Sequence, residues 1–157
     1  MATNTNWYMK ADGIQGDAIT QGYEKQVALD AFDQPISAEA SAGSAPAQPV
    51  FQNAFAHMVG DSAAPLLFKT IVNGQLIPSI LVSGLKTIGK GPAPFVQFTY
   101  TNAYLTGLSF SMGDQGLNVD SCTFNFQQIG FEYFEEKNGY LSSTGPVHYD
   151  LLAQKVS

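Results

Sequence analysis

One stretch of the sequence, Val119–Glu136 (VDSCTFNFQQIGFEYFEE), constrains the fold more than any other. Its first half alternates large apolar with polar side chains, the period-2 pattern of a strand that buries one face. Beyond Gln127 and Gln128 the apolar residues move to the other parity. We therefore predict a β-bulge there, next to Gly130, that bends one long strand. A bent, aromatic-rich strand favours a curled sheet or barrel over a flat layer.

The amino-acid composition predicts one mainly-β domain that spans residues 1–157. Apolar residues make up 45% of the chain and charged residues 13%, so the chain can bury a core and is not a disordered tail. Eleven Phe and seven Tyr, with 15 Gly and 8 Pro, are typical of a domain with many strands and turns.

The charged residues argue against nucleic acid as a partner. The net charge is -6, and all seven basic residues are lysines. Without arginine, the chain has no side chain for bidentate phosphate contacts. The low charge fraction also leaves much neutral surface, which suits a subunit of an assembly.

The N-terminal sequence, MATNTNWYMKADG, has neither a basic segment nor an apolar one of the kind that forms a signal peptide. No apolar run approaches the roughly 20 residues that span a bilayer. We therefore expect synthesis in the cytoplasm, no membrane insertion, and any export by a route without a cleaved signal.

The remaining patterns predict seven to nine strands and one helix. The helix begins at a cap formed by Asp61 or Ser62, has Pro65 in its first turn and ends at Asn73-Gly74. Its apolar face combines Ala63, Leu66, Leu67 and Ile71. The further predicted strands cover residues 7–11, 27–31, 50–59, 77–85, 95–105 and 147–151, with turns at 12–17, at Lys90-Gly91 and at 137–139, and a loop at 113–116.

The segment Asp33–Pro49 (DQPISAEASAGSAPAQP) differs from the rest of the chain. It is rich in Ala, Ser, Gly and Pro, and Ile36 is its one large aliphatic residue. Because it cannot bury much surface, we predict a long protruding loop or hairpin. Two interpretations stay open: an arm that becomes ordered on a partner, or a flexible insertion.

No pattern in the sequence indicates catalysis, a metal site or a cofactor. A nucleophilic Cys122 needs a nearby base, and the chain has two histidines, His57 and His148, far apart in sequence. We interpret Cys122 as a buried structural thiol and both histidines as polar strand residues. The acidic cluster Glu132, Glu135 and Glu136 is interpreted as a solvated strand end, and Gly89-Lys90-Gly91-Pro92 lacks the spacing of a P-loop.

The order of these segments resembles the hemolysin-coregulated protein (Hcp) family, the tube subunit of bacterial type VI secretion systems. The resemblance covers nearly the whole chain in order. It rests on Gly13-Ile14-Gln15-Gly16-Asp17 after the first strand, on Phe55 to Leu67 with its Ser62-x-x-Pro65-Leu66 helix start, on Thr123-Phe124-Asn125-Phe126 followed by Ile129 and Tyr133, and on Gly145-Pro146-Val147 followed by Tyr149-Asp150.

The resemblance implies a β-barrel of two antiparallel sheets with one short helix. It further implies hexameric rings that stack into a hollow tube, are secreted from a bacterium and carry small effectors. The implied partners are other copies of the chain, a sheath, a trimeric spike and small secreted effectors. For the ring and stacking contacts we expect the 33–49 segment to supply Gln34, Pro35, Ile36, Ser37, Ser41, Gly43, Pro46 and Gln48.

Two alternatives remain. One is the same fold acting as an effector carrier or chaperone, or as a tail-tube protein of a phage-like particle. The other is a small hydrolase or sugar-binding barrel, which requires a cleft with convergent polar groups. The sequence shows no such constellation of polar groups.

Overall fold

The computed structural model describes residues 7–88, 91–114 and 116–157, and over these ranges the protein is mainly β, as predicted. Within these ranges it has one helix, α1 (Ala63–Val72). The first six strands are β1 (Trp7–Ala11), β2 (Val27–Leu29), β3 (Ala31–Asp33), β4 (Ile36–Ser37), β5 (Val50–Phe51) and β6 (Ala54–Val59). The other six are β7 (Ile77–Ile88), β8 (Gly91–Gly113), β9 (Gly116–Lys137), β10 (Tyr140–Ser143), β11 (Val147–Asp150) and β12 (Lys155–Val156).

The structure has more strands in the described ranges than the seven to nine predicted. The surplus arises because predicted strands 27–31 and 50–59 are each divided in two, and because strands of two residues leave no periodic signal. By contrast, β8 is longer than the predicted strand 95–105 and runs without a break from Gly91 to Gly113. Gly89 and Lys90 of the predicted turn, Gln115 of the predicted 113–116 loop, and the first six residues of the N-terminal segment lie outside the described residues.

The strands form two antiparallel sheets of unequal size. The large sheet has ten strands, with the path β12-β11-β9-β8-β7-β1-β2. Strand β9 is its organising element, because it pairs with β8 along one edge and with β6, β11 and β10 in turn along the other. The small sheet contains β4 and β5 alone. The prediction that the Val119–Glu136 segment organises the fold is confirmed.

The large sheet curls but is not closed into a barrel, contrary to the sequence-based expectation. The gap lies between β2 and β3: β2 pairs with β1, whereas β3 pairs with β6. The chain crosses this gap at Asp30, whose backbone N–H donates to the carbonyl of His57 at 2.8 Å. The chain ends its pairing with β1 before it begins to pair with β6. At this point the sheet is joined by the covalent chain alone, and no continuous ladder of hydrogen bonds among the described residues closes it.

The predicted β-bulge at Gln127 and Gln128 is wrong, although the change of parity is real. Between β8 and β9 the register is the same on both sides of this point, with Thr101 opposite Gln128 and Ala103 opposite Phe126. The buried residues change parity at the same level on both strands. On β8, Asn102 lies between the two paired residues Thr101 and Ala103 and has a φ of +54°. Each strand therefore contributes one extra residue, and the two irregularities cancel in the register.

The core fills the concave side of the sheet and consists mostly of aliphatic side chains packed around the aromatic rings of β8 and β9. Tyr100 and Phe124 are completely buried, with ring centroids 4.9 Å apart in an edge-to-face arrangement. Phe126 lies 4.8 Å from Tyr100 between centroids. Cys122, as predicted, is a buried residue of this core.

The Gly13–Asp17 motif joins the first strand to the helix. Gly13 has a φ of +82°, which favours glycine, and Ile14 is buried. At Gly16 a Cβ atom would lie 2.7 Å from the carbonyl oxygen of Gln26, so no side chain fits there. The close approach places Asp17 at the start of α1, where its Oδ2 accepts a hydrogen bond from the backbone N–H of Ser62 at 3.1 Å.

Helix α1 begins and ends where the sequence predicted. Ser62 is the N-cap residue, and the Oδ1 of Asp61 accepts the N–H of Ala63 at 2.7 Å. Gly74 has a φ of +59° and donates to the carbonyl of Ile71 at the C-terminal end. The buried face differs in part from the predicted one, because Leu66 and Ile71 are only partly buried. The residues that it buries are Ala63, Ala64, Leu67 and Thr70.

Candidate functional site: the arm and its base

The segment 33–49, which we call the arm, is an ordered hairpin. At its base, Ile36 pairs with Phe51 and Ser37 with Val50 across β4 and β5. Further out, the N–H of Ala47 donates to the carbonyl of Glu39 at 2.7 Å. Of the two structural forms left open by the sequence, the structure therefore has the hairpin.

The outer end of the arm is a tight turn of small residues. The N–H of Ser44 donates to the carbonyl of Ser41 at 3.0 Å, and Gly43 has a φ of +77°. All residues from Ser37 to Pro49 are exposed, including Pro46. Glu39 is the one charged residue of this segment, and its many small side chains allow another backbone to approach closely, so the segment presents a surface suited to contact with another protein.

Gln34, one of the predicted contact residues, anchors the arm to the core. Its Nε2 donates to the carbonyls of Pro35 and Gln52, at 3.1 and 2.9 Å, and its Oε1 accepts the hydroxyl of Tyr100 at 2.9 Å. Burial raises the pKa of Tyr100, so the phenol stays protonated and remains a donor. Gln34 and Pro35 are half-buried and belong to the base of the arm.

Gln48 anchors the other side of the arm. Its Nε2 donates to the Oε1 of Gln154 at 3.0 Å, in the turn between β11 and β12. Gln154 has a φ of +55°, which favours a tight turn there. The arm is therefore held at its base by Gln34 and on its flank by Gln48, whereas Ile36, Ser37, Ser41, Gly43 and Pro46 carry no such anchoring side-chain bond among those the structure shows.

An apolar cavity of 470 Å³, which we call the groove, opens at the base of the arm. Its walls include exposed Ile36 and Phe131 together with Phe51, whose ring stacks on that of Tyr149 with 5.1 Å between centroids. Val147, 53% exposed, forms the rim on β11. The full lining is Gln34, Ile36, Phe51, Phe98, Ile129, Phe131, Val147, His148 and Tyr149.

The sequence analysis did not predict the groove, because its residues come from five separate strands or their connections. One signal was present: Val50 and Phe51 follow the arm directly, and Val147 and Tyr149 share a parity on the last predicted strand. Neither pair indicates by itself that the side chains meet. Only the curvature of β9 brings β5 and β11 together over Ile129.

His148 lies against the sheet at the edge of the groove because Gly130 leaves room for it. A Cβ on Gly130 would lie 2.6 Å from the Nδ1 of His148. Apart from Gln34, His148 and the hydroxyl of Tyr149, the lining side chains are hydrocarbon, so the groove surface is almost entirely apolar. A surface of this kind favours contact with apolar side chains over recognition of a charged ligand.

The candidate nucleophile, Cys122, is completely buried on β9, and burial raises its pKa to about 12. The thiol is therefore protonated at neutral pH, when a nucleophile or a metal ligand has to be a thiolate. Its position in the core agrees with the structural role predicted from the sequence.

The two histidines have different surroundings. His57 lies between two carboxylates, with its Nδ1 3.2 Å from the Oδ2 of Asp30 and its Nε2 4.0 Å from the Oδ1 of Asp120. This grouping could not be predicted from the sequence, because the three residues lie on separate segments. The two contacts use opposite nitrogens of the ring. In the described ranges, no three or more His, Cys, Asp or Glu side chains are placed to hold a metal ion.

The acidic cluster is a strand end with local partners. Glu136 lies 3.1 Å from Lys86, and Glu135 lies 3.4 Å from Lys137, all with substantially exposed side chains. Glu132 accepts a short hydrogen bond from the hydroxyl of Ser143. These contacts agree with the interpretation of a solvated strand end.

The fold of this chain is that of type VI secretion system proteins. One solved structure, described as that of a type six secretion system protein, is 18% identical to this chain, with a TM-score of 0.88 over 98% of this chain and 99% of the other. Hcp1 from Salmonella typhimurium is 22% identical, with a TM-score of 0.78 over 96% of this chain and 97% of that protein.

A third solved structure, a type VI secretion system effector from Yersinia pestis, is 16% identical, with a TM-score of 0.75 over 92% of this chain and 99% of that protein. The sequence has no significant match among curated proteins.

The family profile for the type VI secretion system effector Hcp matches residues 8–133, most of the chain. This chain therefore belongs to the Hcp family, whose members are secreted structural proteins of the type VI secretion system. The resemblance noted in the sequence is confirmed. No helix in the described part of the chain is long and apolar enough to cross a membrane.

Proposed function

We propose that this protein is the repeating subunit of a secreted tube and acts by assembly, without catalysis. Six copies close a ring through side-by-side contacts, and rings stack through contacts that include the arm. The observation that carries the proposal is an ordered arm that is exposed from Ile36 to Pro49, in a chain of the Hcp family. A subunit gains from such a projection only when another protein covers it.

The contacts that close a ring and stack rings are heterologous, since each uses two different surfaces of one chain. The arm is well suited to one of them, because its anchors at Gln34 and Gln48 fix its direction before any partner binds. A preorganised projection loses less conformational entropy on contact than a flexible loop does. Ile36, Ser37, Ser41, Gly43 and Pro46 are the arm residues that we assign to direct contact with the next ring.

The same proposal gives the protein its partners outside the ring. A contractile sheath surrounds the tube, a trimeric spike closes its end, and small effectors travel in its lumen. Support for these partners comes from membership of the family. The related role of an effector carrier needs rings but no stacking, so the stacking experiment separates it from the tube.

Size-exclusion chromatography with light scattering, followed by electron microscopy of the peak, tests the proposal. A particle of six chains with a central hole is the expected result, with tubes at high protein concentration. Protein that stays monomeric at every concentration contradicts it.

A variant with Ser37–Gln48 replaced by Asn-Gly tests the role of the arm. The strand pairing between Ile36 and Phe51 at the base of the arm is retained. We therefore expect a folded subunit that still forms rings. Stacking should be lost, because the projection is gone. Electron microscopy that shows tubes of unchanged length in this variant would remove the arm from the stacking contact.

A further inference from the structure

The apolar core is uncovered at both ends of the β8–β9 hairpin. One uncovered end is the groove. The other, which we call the tip, is the apolar face formed by Phe110, Met112 and Leu117 at the turn end of β8 and β9. Both are extensions of the side of the sheet that faces the core.

The pairing of the strands places the tip residues on one face. Met112 is opposite Leu117, and Phe110 is opposite Val119, which is completely buried. Along β8 the exposure rises steadily outward: Leu108 is partly buried, Phe110 is 38% exposed and Met112 is 84% exposed. The core-facing row thus continues past the last residue that the body covers.

The groove is uncovered for a reason that also lies in the pairing. Strand β6 accompanies β9 as far as Phe124, and β11 takes over that edge from Gln128. Beyond this exchange, Phe131 and Val147 lie at the margin of the core, beside the base of the arm. Phe131 is therefore 42% exposed and Val147 is 53% exposed.

The tip and the groove lie far apart on the same strand. Leu117 and Phe131 are both on β9 and are fourteen residues apart, which corresponds to about 45 Å along the path of a strand. One surface projects and the other is concave, and both are apolar. Two such surfaces at opposite ends define a head-to-tail contact that repeats from copy to copy.

We propose that the tip of one copy docks in the groove of the next copy. This inference rests on the proposed tube function and adds to it the second surface of the stacking contact. Because Gln34 and Ile36 line the groove, the groove and the arm lie at the same end of the molecule. The arm and groove of one ring then receive the tips of the neighbouring ring.

A second copy of this chain is the occupant because one contact covers both exposed surfaces. An unrelated peptide or a small apolar molecule in the groove leaves the tip in water. Methionine suits the projecting position, since its unbranched, flexible side chain adapts to an irregular pocket. The groove, at 470 Å³, has room for several side chains.

Disulfide trapping between two variants, each with one added surface cysteine, tests the contact. Met112→Cys and Val147→Cys place thiols on the tip and on the rim of the groove, both well exposed. The native Cys122 does not compete, because it is completely buried. Under mild oxidation, a mixture of M112C and V147C protein should give a disulfide-linked heterodimer, and the double variant should give a ladder of linked chains.

The matched control pairs M112C with Phe68→Cys, an exposed position on α1 that is 57% accessible. This mixture should give no linked product. Tubes in the electron microscope without a disulfide between M112C and V147C would overturn the docking proposal and leave the tube proposal intact. Protein that is monomeric throughout and gives no disulfide overturns both.

A charge at the tip gives an independent readout. In Met112→Asp a carboxylate would have to enter the apolar groove, so we expect rings that no longer stack. Ile19→Asp places the same charge at another exposed apolar position, 90% accessible, and should leave stacking unchanged. Equal tube lengths for the two variants, measured by electron microscopy, would contradict the proposal.

Discussion

The middle of the molecule and its two ends use the same strands, β8 and β9, in opposite ways. In the middle, Tyr100 and Phe124 are completely sealed by neighbouring rings. At the ends, the same side of the sheet exposes Met112 in one direction and Phe131 in the other. The difference is one of cover, because the side chains are equally apolar. The core-facing side chains that are buried in the middle stabilise the subunit. Those that are exposed at the ends are available for contact with other subunits.

This comparison predicts that truncation in the middle is far more costly than truncation at an end. Phe124→Ala should lower the free energy of unfolding by about 3–5 kcal/mol, because it leaves a cavity among packed aromatic rings. Met112→Ala should change it by less than about 0.5 kcal/mol, since the side chain is surrounded by water in the single subunit. Urea denaturation of monomeric protein measures both. Similar losses for the two variants would refute the distinction between middle and ends.

The second prediction concerns two glycines with opposite surroundings. Gly16→Ala forces a Cβ against the backbone of Gln26 and Val27. It should therefore cost about 1–3 kcal/mol of stability. Gly113→Ala, next to the tip, meets nothing within 4 Å and should stay within about 0.5 kcal/mol of the native protein. Thermal denaturation of both variants checks this. A stable Gly16→Ala protein would show that the motif has more room than its geometry indicates.

The third prediction tests the link between the core and the arm. Tyr100→Phe removes the hydroxyl that donates to Gln34. The loss should be about 1 kcal/mol, because the amide oxygen is left without its partner in a half-buried site. Tyr104→Phe, at a 44% exposed position, should be neutral, since water solvates that phenol. Denaturation midpoints measure stability, and proteolysis at the arm shows whether its base has loosened.

The smallest predicted effect is an acid-dependent one at the start of α1. Hydrogen bonds from Ser62, through its hydroxyl and then its backbone N–H, lower the pKa of Asp17 from 3.8. The ionised carboxylate therefore stabilises the fold above about pH 4, and this contribution is lost as the pH falls through the lower pKa of the folded state. Asp17→Asn should make stability less dependent on pH below 4. An unchanged acid denaturation curve would assign the acid sensitivity to other carboxylates.

Much of the fold could be predicted because it depends on local patterns. The alternation around Phe124, the capping residues at Asp61 and Ser62, and the Gly-rich turns each act within a few residues. The bulge at Gln127 was predicted wrongly for an instructive reason. A change of parity in one strand looks like an extra residue, but the matching irregularity at Asn102 lies on another strand and cancels it.

The candidate site was predictable only in part. The composition of Asp33–Pro49 indicated a projection, and the structure shows where it is held. That Gln34 and Gln48 are anchors could not be predicted, because their partners, Tyr100 and Gln154, are distant in sequence. The groove was missed entirely, since its walls come from strands that meet only through the curl of the sheet.

The sequence by itself determined the class of fold, the position of the helix and its boundaries, the arm and the membership of the Hcp family. These depend on periodicity, capping and turn residues, which act over short distances along the chain. Tertiary structure alone decided that the sheet does not close at Asp30, that the arm is held at Gln34, and that the core is open at Met112 and Phe131. Cover and closure depend on which strand lies beside which, and that is a property of the whole chain.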